Sequence, residues 1–328
     1  MASPFGVLGN VFVSRPSKPR PLAQRTLKSA ISCTGTGLHS GRKVAMTLRP
    51  AAPNHGIVFH RRGSDTAVKA DFRNVTDTRL CSLLGTAPGP RFGTVEHLMA
   101  AFYGARIDNA IVELDGDEVP VMDGSAAPFM FLIDCAGTIE QAAARRAIEV
   151  LKPIRVTEGQ DGAALELRPG TGFAATFDID FPTPTIGRQS LTIDLNPDAF
   201  RQDIARARTF GFEQEVAALR AAGLARGGSL DNAVVIAADG SGLLNPEGLR
   251  FDDEFVRHKV LDLVGDLYLA GAPILGAVSA RRTGHRHNNA ALHALFADKA
   301  AWRWVDMTEA SYAPSPVLAT AKRAEAGE

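Results

Sequence analysis

Disulfides, an excess of one charge and a membrane-length apolar run are all missing from this chain. Its 328 residues contain only Cys33, Cys81 and Cys135. No two of them form a Cys-x-x-Cys pair, which argues against a disulfide framework and suits a reducing, cytoplasmic setting. The 36 Lys and Arg residues are balanced by 36 Asp and Glu residues, so nothing points to general nucleic-acid binding. No stretch reaches the ~18–20 apolar residues that a bilayer-spanning helix needs. What is present is a length sufficient for two domains of ordinary size, each able to bury a core.

The segment FVRHKVLDLVGD, residues 255–266, places His258, Asp262 and Asp266 at i, i+4 and i+8. On an α-helix these positions stack along one face. Phe255, Val256, Val260, Leu263, Val264 and Leu267 supply the opposite face, so the spacing predicts an amphipathic helix. The polar row reads either as a solvated face or as a histidine and a carboxylate offered one turn apart to a first-row metal. A metal site of that kind needs a third protein ligand. Of the eight histidines, His39, His55 and His60 sit among turn residues and basic neighbours, and His293 lies in an alanine-rich helical run. These are expected to be surface or packing residues. His97, in GTVEHLMAAFYG, differs: Thr94 is an N-cap candidate, Leu98, Ala101 and Phe102 supply an apolar face, and Glu96 precedes the histidine. A carboxylate beside a metal-bound histidine suits proton removal from water. The plainer reading has Glu96 favouring the positive end of a helix. A further pair, His285 and His287, lies in RRTGHRHNNAALHALF after the strand-like APILGAVSA. This is either a surface loop or the seat of a general acid.

The coarse order mixes strands and helices. VAMTLRPA, AIVELDG, ALELRPG, FAATFDIDF and SLTIDLN read as strands, and MAAFYGA and PFMFLIDCAG as helices. RRAIEVLKPIRV, with Pro153, marks a crossing into a second domain. IDNAIVEL is echoed by LDNAVVIAA, too briefly to establish a duplication. Residues 1–23 carry no acidic residue and are expected to be a tail or the product of a start set too far upstream. The terminal TAKRAEAGE is expected to be a frayed helical end.

From Gln24 to about Trp304 the chain resembles the bacterial UDP-3-O-acyl-N-acetylglucosamine deacetylases, zinc amidases of lipid A synthesis. The resemblance is carried, in order, by QRTLK, TGTGLHSG, DTRLCS, TVEHLMAA, IDNAIVEL, VPVMDGSAAPF, ARTFGF, GLRFDDEFVRHKVLDLVGDL and TGHRHNNA. It implies an α+β fold of two related domains, each a sheet with helices, packed with their helices facing and each carrying an insertion. The boundaries expected are 24–147 for domain I, 148–310 for domain II and 311–328 for a tail. The resemblance makes His97, His258 and Asp262 the zinc ligands, Glu96 the general base, and His285 the general acid. Asp266 would keep the His285 imidazole charged, Thr209 would help bind the oxyanion, and Lys259 would lie near the substrate. An insertion near 211–236 would line a passage for the acyl chain, with Phe210, Phe212, Val216, Ala217 and Leu224 as walls, unless core packing uses them instead. Cys81 matches a position where a thiolate can take an inhibitory second zinc, or it is a small buried residue.

Two departures stand out. Arg286 and His287 replace the alanine–leucine of the family's glycine–histidine loop, and Leu151, with Lys152 beside it, replaces a lysine that reaches the nucleotide end of the substrate. The expected cofactor is Zn²⁺, with Fe²⁺ as the alternative for a His₂Asp donor set. The expected partner is the acylated UDP-sugar, bound by a monomer, with transient contact at a membrane surface left open. An amidase for another acylated sugar or small amide is the enzymic rival. A sugar-nucleotide- or lipid-binding protein with structural zinc is the non-enzymic one.

Overall fold

A computed structural model describes residues 21–85, 88–158 and 162–312. The expectations for residues 1–20 and for TAKRAEAGE lie outside them. The fold is α+β. In the first half, strands β1 (Ile31–Thr36), β2 (Lys43–Pro50), β3 (Ile57–Arg61), β4 (Ala67–Lys69) and β5 (Ala110–Leu114) form one sheet in the order β1-β2-β5-β3-β4. Its β3–β5 pair is parallel and its other pairs are antiparallel. Ala110, Val112 and Leu114 alternate into the core, as the period-two pattern of AIVEL requires. Helix α1 (Glu96–Gly104) precedes β5 and helix α2 (Ala127–Ala136) follows it.

The second half repeats this plan. Strands β6 (Arg146–Val150), β7 (Ile154–Glu158), β8 (Ala163–Arg168), β9 (Phe173–Asp180) and β10 (Arg188–Asp194) come first. After them come helix α3 (Glu213–Ala221), helix α4 (Glu254–Tyr268), strand β11 (Ile274–Arg281), helix α5 (His285–Ala297) and strand β12 (Trp302–Asp306). The run β7-β8-β11-β9-β10 has the same order as the first sheet, with the equivalent β9–β11 pair parallel and the others antiparallel. Helix α4 precedes β11 as α1 precedes β5, and α5 follows β11 as α2 follows β5. The duplication is therefore one of topology. The echo in the letters does not mark it: IDNAIVEL forms β5, whereas LDNAVVIAA leads into the short strand Val234–Ile236, parallel to Phe210–Phe212 in the insertion. The element equivalent to β5 is β11, which shares none of that wording.

Helices α1 and α4 pack against each other. Gly265 sets how close they come, because a Cβ there would lie 2.0 Å from the Glu96 carbonyl oxygen. The apolar face expected for α4 is buried, but so is its polar row: His258 is 3% exposed, Asp262 4% and Asp266 1%. That excludes the solvated-face reading, since buried ionisable groups persist only when paired or bound to a metal. One local expectation is corrected. Thr94 does not cap α1; the cap position is Val95 and has no side-chain cap bond. Thr94 instead adopts φ +56, uncommon for a β-branched residue, and its hydroxyl donates to Glu118 Oε1 at 3.1 Å. No helix among the described residues is long and apolar enough to cross a membrane.

Candidate functional site

The close α1–α4 crossing brings His97 from one helix against His258 and Asp262 from the other. Asp262 Oδ1 lies 3.6 Å from His97 Nε2 and 3.3 Å from His258 Nε2. One donor atom from each of the three residues falls within 4.8 Å of the others. A divalent cation requires neutral imidazole and ionised carboxylate donors, and the surroundings favour those forms of His258 and Asp262. His258 Nδ1–H donates to the Ala207 carbonyl at 3.1 Å, which turns the Nε2 lone pair toward the cluster. Burial pushes the His258 pKa down to about 4, so the ring is neutral. Burial alone would raise Asp262, but His258 and the Lys259 ammonium outweigh it and hold the carboxyl well below its usual range. Lys259 Nζ donates to Asp262 Oδ2 at 2.7 Å, leaving Oδ1 on the side of the two Nε2 atoms. The donor set fits a divalent metal, and with three candidate ligands among the described residues it fits an open, catalytic site better than a closed structural one.

Next to this cluster stand two further ionisable groups. Glu96 is 2% exposed; its Oε2 accepts from the Ser82 backbone N–H at 3.0 Å, and its Oε1 lies 3.9 Å from His285 Nε2. Burial, partly offset by His285 and His97, raises its pKa above the ordinary carboxylate value. His285, the first residue of α5, donates from Nδ1 to Asp266 Oδ2 at 2.8 Å. Burial would discharge it, but the Asp266 and Glu96 carboxylates outweigh that and raise its pKa to about 9. The imidazole is thus a cation at neutral pH, with Nε2 facing Glu96. His287 makes no such bond, and its buried Nε2 has no hydrogen-bond partner among the described residues. Burial and the nearby Glu96 raise the Cys81 thiol, which keeps it protonated.

A cavity of about 620 Å³ opens beside the cluster, walled by Thr209, Phe210, Phe212, Val216 and Ala217. Phe210 links the two, its ring centroid lying 6.2 Å from that of His258. Ala217 is exposed on α3, so it is not a core residue. Leu224 is not in the cavity wall. Leu80, Leu230 and Leu244, all exposed, extend the apolar lining. A larger cleft of about 980 Å³, bounded by Lys69, Phe72 and Trp302 among others, has none of the catalytic candidates in its wall.

Several residues of the site went unseen in the sequence. His39, which the sequence leads one to expect as a surface or packing residue, lines the cavity, and neither of its buried ring nitrogens has a hydrogen-bond partner among the described residues. Glu118 accepts from the His39 and Ser40 backbone amides at 2.8 and 2.9 Å and so fixes the TGLHSG loop. Arg208 and Glu254 form a buried ion pair at 2.9 Å, which holds the segment of Ala207 and Thr209, just before the strand Phe210–Phe212, to the start of α4. Ser82 and Asn288 both donate to Asp266. The only signal for these last two was their place in the DTRLCS and GHRHNN blocks.

Comparison with known proteins adds an independent line. The sequence profile of a family described as UDP-3-O-acyl N-acetylglycosamine deacetylase matches residues 24–297. A UDP-3-O-acyl-N-acetylglucosamine deacetylase of Acidithiobacillus ferrooxidans is 51% identical over 308 residues, covering 92% of this chain and 100% of the relative. The proteins of the same name from Aliivibrio fischeri and Haemophilus influenzae are each 47% identical. They cover 89% and 92% of this chain and 96% and 99% of their own lengths.

Proposed function

The chain belongs to the UDP-3-O-acyl N-acetylglycosamine deacetylase family, and from that membership we propose the reaction it performs. It hydrolyses the N-acetyl group of UDP-3-O-[(3R)-3-hydroxyacyl]-N-acetylglucosamine and releases acetate, the committed step of lipid A biosynthesis. The observation that carries this reading is the convergence of a three-ligand cluster, a buried carboxylate and a charged histidine beside an apolar cavity. His97, His258 and Asp262 would hold the metal, zinc on this reading and iron(II) as the alternative. When bound, it supplies a Lewis acid for the acetamide carbonyl and for water. Glu96 accepts the proton of the attacking water. The Thr209 hydroxyl donates to the developing oxyanion. His285 gives its Nε2 proton to the departing sugar nitrogen, since an amide nitrogen leaves poorly unless protonated. A C–O bond forms, the C–N bond breaks, and acetate and the free amine result.

We take residues 24–147 and 148–310 as the two domains, with the cavity formed by the second domain's insertion together with Leu38, His39 and Leu80 of the first. A nucleotide-sugar substrate and three free cysteines favour a cytoplasmic reaction, with the protein acting as a monomer. The decisive assay is acetate release from the acylated UDP-sugar, before and after chelation, and again with zinc or iron(II) restored. Release should stop on chelation and return with metal. Turnover that persists with the metal fully removed would refute the metal-dependent reading. A substrate lacking the acyl chain should be turned over far less efficiently, which separates this reaction from that of a general amidase.

Ala217 tests the cavity as an acyl passage. A leucine there projects into the open space from a helix that favours it, without disturbing the core. Blocking three or four methylenes, each worth about 0.8 kcal/mol, costs roughly 2–3 kcal/mol, or about two orders of magnitude in kcat/KM for the long-chain substrate. The short-chain substrate, the metal content and the melting temperature should be unaffected. Equal losses on both substrates would remove Ala217 from the passage.

A further inference from the structure

Ser82 occupies a position that the reaction as described does not use. It is 1% exposed, sits in the first half of the chain, and makes two hydrogen bonds, one to each of the two carboxylates that flank the His285 ring. Its backbone N–H donates to Glu96 Oε2 at 3.0 Å, and its hydroxyl donates to Asp266 Oδ1 at 2.6 Å, across 184 residues of sequence. An ionised carboxylate has two acceptor oxygens and is free to rotate about its own bond. Each carboxylate here has one oxygen tied to Ser82, which decides where the other faces. For Glu96 that is Oε1, turned toward His285 Nε2; for Asp266 it is Oδ2, which receives His285 Nδ1–H and Asn288 Nδ2–H, both at 2.8 Å. The hydroxyl bond is short and charge-assisted, the kind that fixes geometry most strongly.

We propose that Ser82 is a positioning residue that registers the general base against the general acid, its hydroxyl acting on His285 through Asp266. The inference rests on the assignment of Glu96 and His285 made above. It also ties the halves together: Ser82 and Glu96 come from the first, Asp266 and His285 from the second, so the hydroxyl is a strut across the α1–α4 crossing. A serine replaced by alanine keeps the backbone N–H on Glu96 and loses only this strut.

The test is a double-mutant cycle with Ser82→Ala, Asp266→Ala and the pair, all in the metal-loaded enzyme. Ser82→Ala should lower kcat roughly 10- to 100-fold, the scale of a small misplacement of catalytic groups, with KM changed less than about threefold. Metal affinity, measured by chelator competition, should be unaffected. In the Asp266→Ala background the Ser82 substitution should have no further effect on kcat, because the group it acts through is gone. A full-sized Ser82 effect in that background overturns the proposal, as does a kcat within twofold of the parent. If Asp266→Ala itself leaves kcat unchanged, Asp266 does not act on the reaction through His285 and the proposal fails, while His285→Ala decides separately whether the acid assignment fails; if only Ser82→Ala is silent, the proposal fails and the acid assignment stands alone. Circular dichroism at the assay temperature establishes that each variant is folded when its kcat is read.

Discussion

Alanine in place of His97, His258 or Asp262 should abolish metal binding and deacetylase activity together. The cluster has three protein donors drawn from two helices, and the groups beside it are engaged elsewhere. Lys259 is a cation at the position nearest Asp262. Glu96 is bound by the Ser82 amide and faces His285. Losing an outer partner of a metal ligand typically costs 10–100-fold in affinity, so losing a ligand itself should cost more. The three variants should differ in stability. His258→Ala leaves the Ala207 carbonyl without its donor in a buried setting, and Asp262→Ala leaves the Lys259 ammonium without its partner. Asp262→Asn is the gentler variant, close in shape but lacking the charge. Metal content by elemental analysis, read beside acetate release and a melting curve, checks the expectation. A folded variant with stoichiometric metal and parental turnover would exclude that residue from the site.

The members of that cluster were legible for a physical reason. His258, Asp262 and Asp266 lie on one continuous helix, where spacing alone dictates a shared face. His97 and Glu96 are adjacent in sequence, and α1 carries both. The strands were equally legible, because alternation over β5, β8 and β9 follows directly from the pleat. What could not be read depends on contacts far apart in sequence. Glu118 reaches His39 across 79 residues, and Ser82 reaches Asp266 across 184. No local pattern announces such pairs. His39 looked like a turn histidine because it is one; only the fold places it in the wall of the cavity. The Thr94 cap failed for a related reason, since Glu118 claims its hydroxyl. The internal echo misled in the other direction. Asn109 Oδ1 accepts from the Gly56 amide, whereas Asn232 Oδ1 accepts from the Ser229 amide. The same letters therefore do two different jobs, while β5 and β11 are equivalent in topology without sharing them.

Substitution of Glu96 or His285 by alanine should leave the metal in place yet lower kcat by roughly 10²–10⁴, the usual contribution of a general acid or base. Neither side chain belongs to the ligand cluster, which is why metal retention distinguishes this prediction from the first. The pH profile should be bell-shaped. Glu96 must be ionised to accept a proton, so activity rises with pH as it deprotonates; burial lifts its pKa and moves that acidic limb above the ordinary carboxylate range. His285 must be protonated to donate, so activity falls as pH rises through its pKa, raised to about 9 by the Asp266 and Glu96 carboxylates against the effect of burial. A bound cation repels the imidazolium and favours the Glu96 carboxylate, so both limbs of the metal-loaded enzyme should lie below these positions. Glu96→Ala should flatten the acidic limb and His285→Ala the basic one, although two groups 3.9 Å apart titrate partly as a pair. His287→Ala is the control, because His287 lacks the Asp266 contact that keeps His285 charged; its kcat should stay near the parental value. A large loss at His287 with little at His285 would transfer the acid role two residues along α5, and the Asp266 hydrogen bond would then need another explanation.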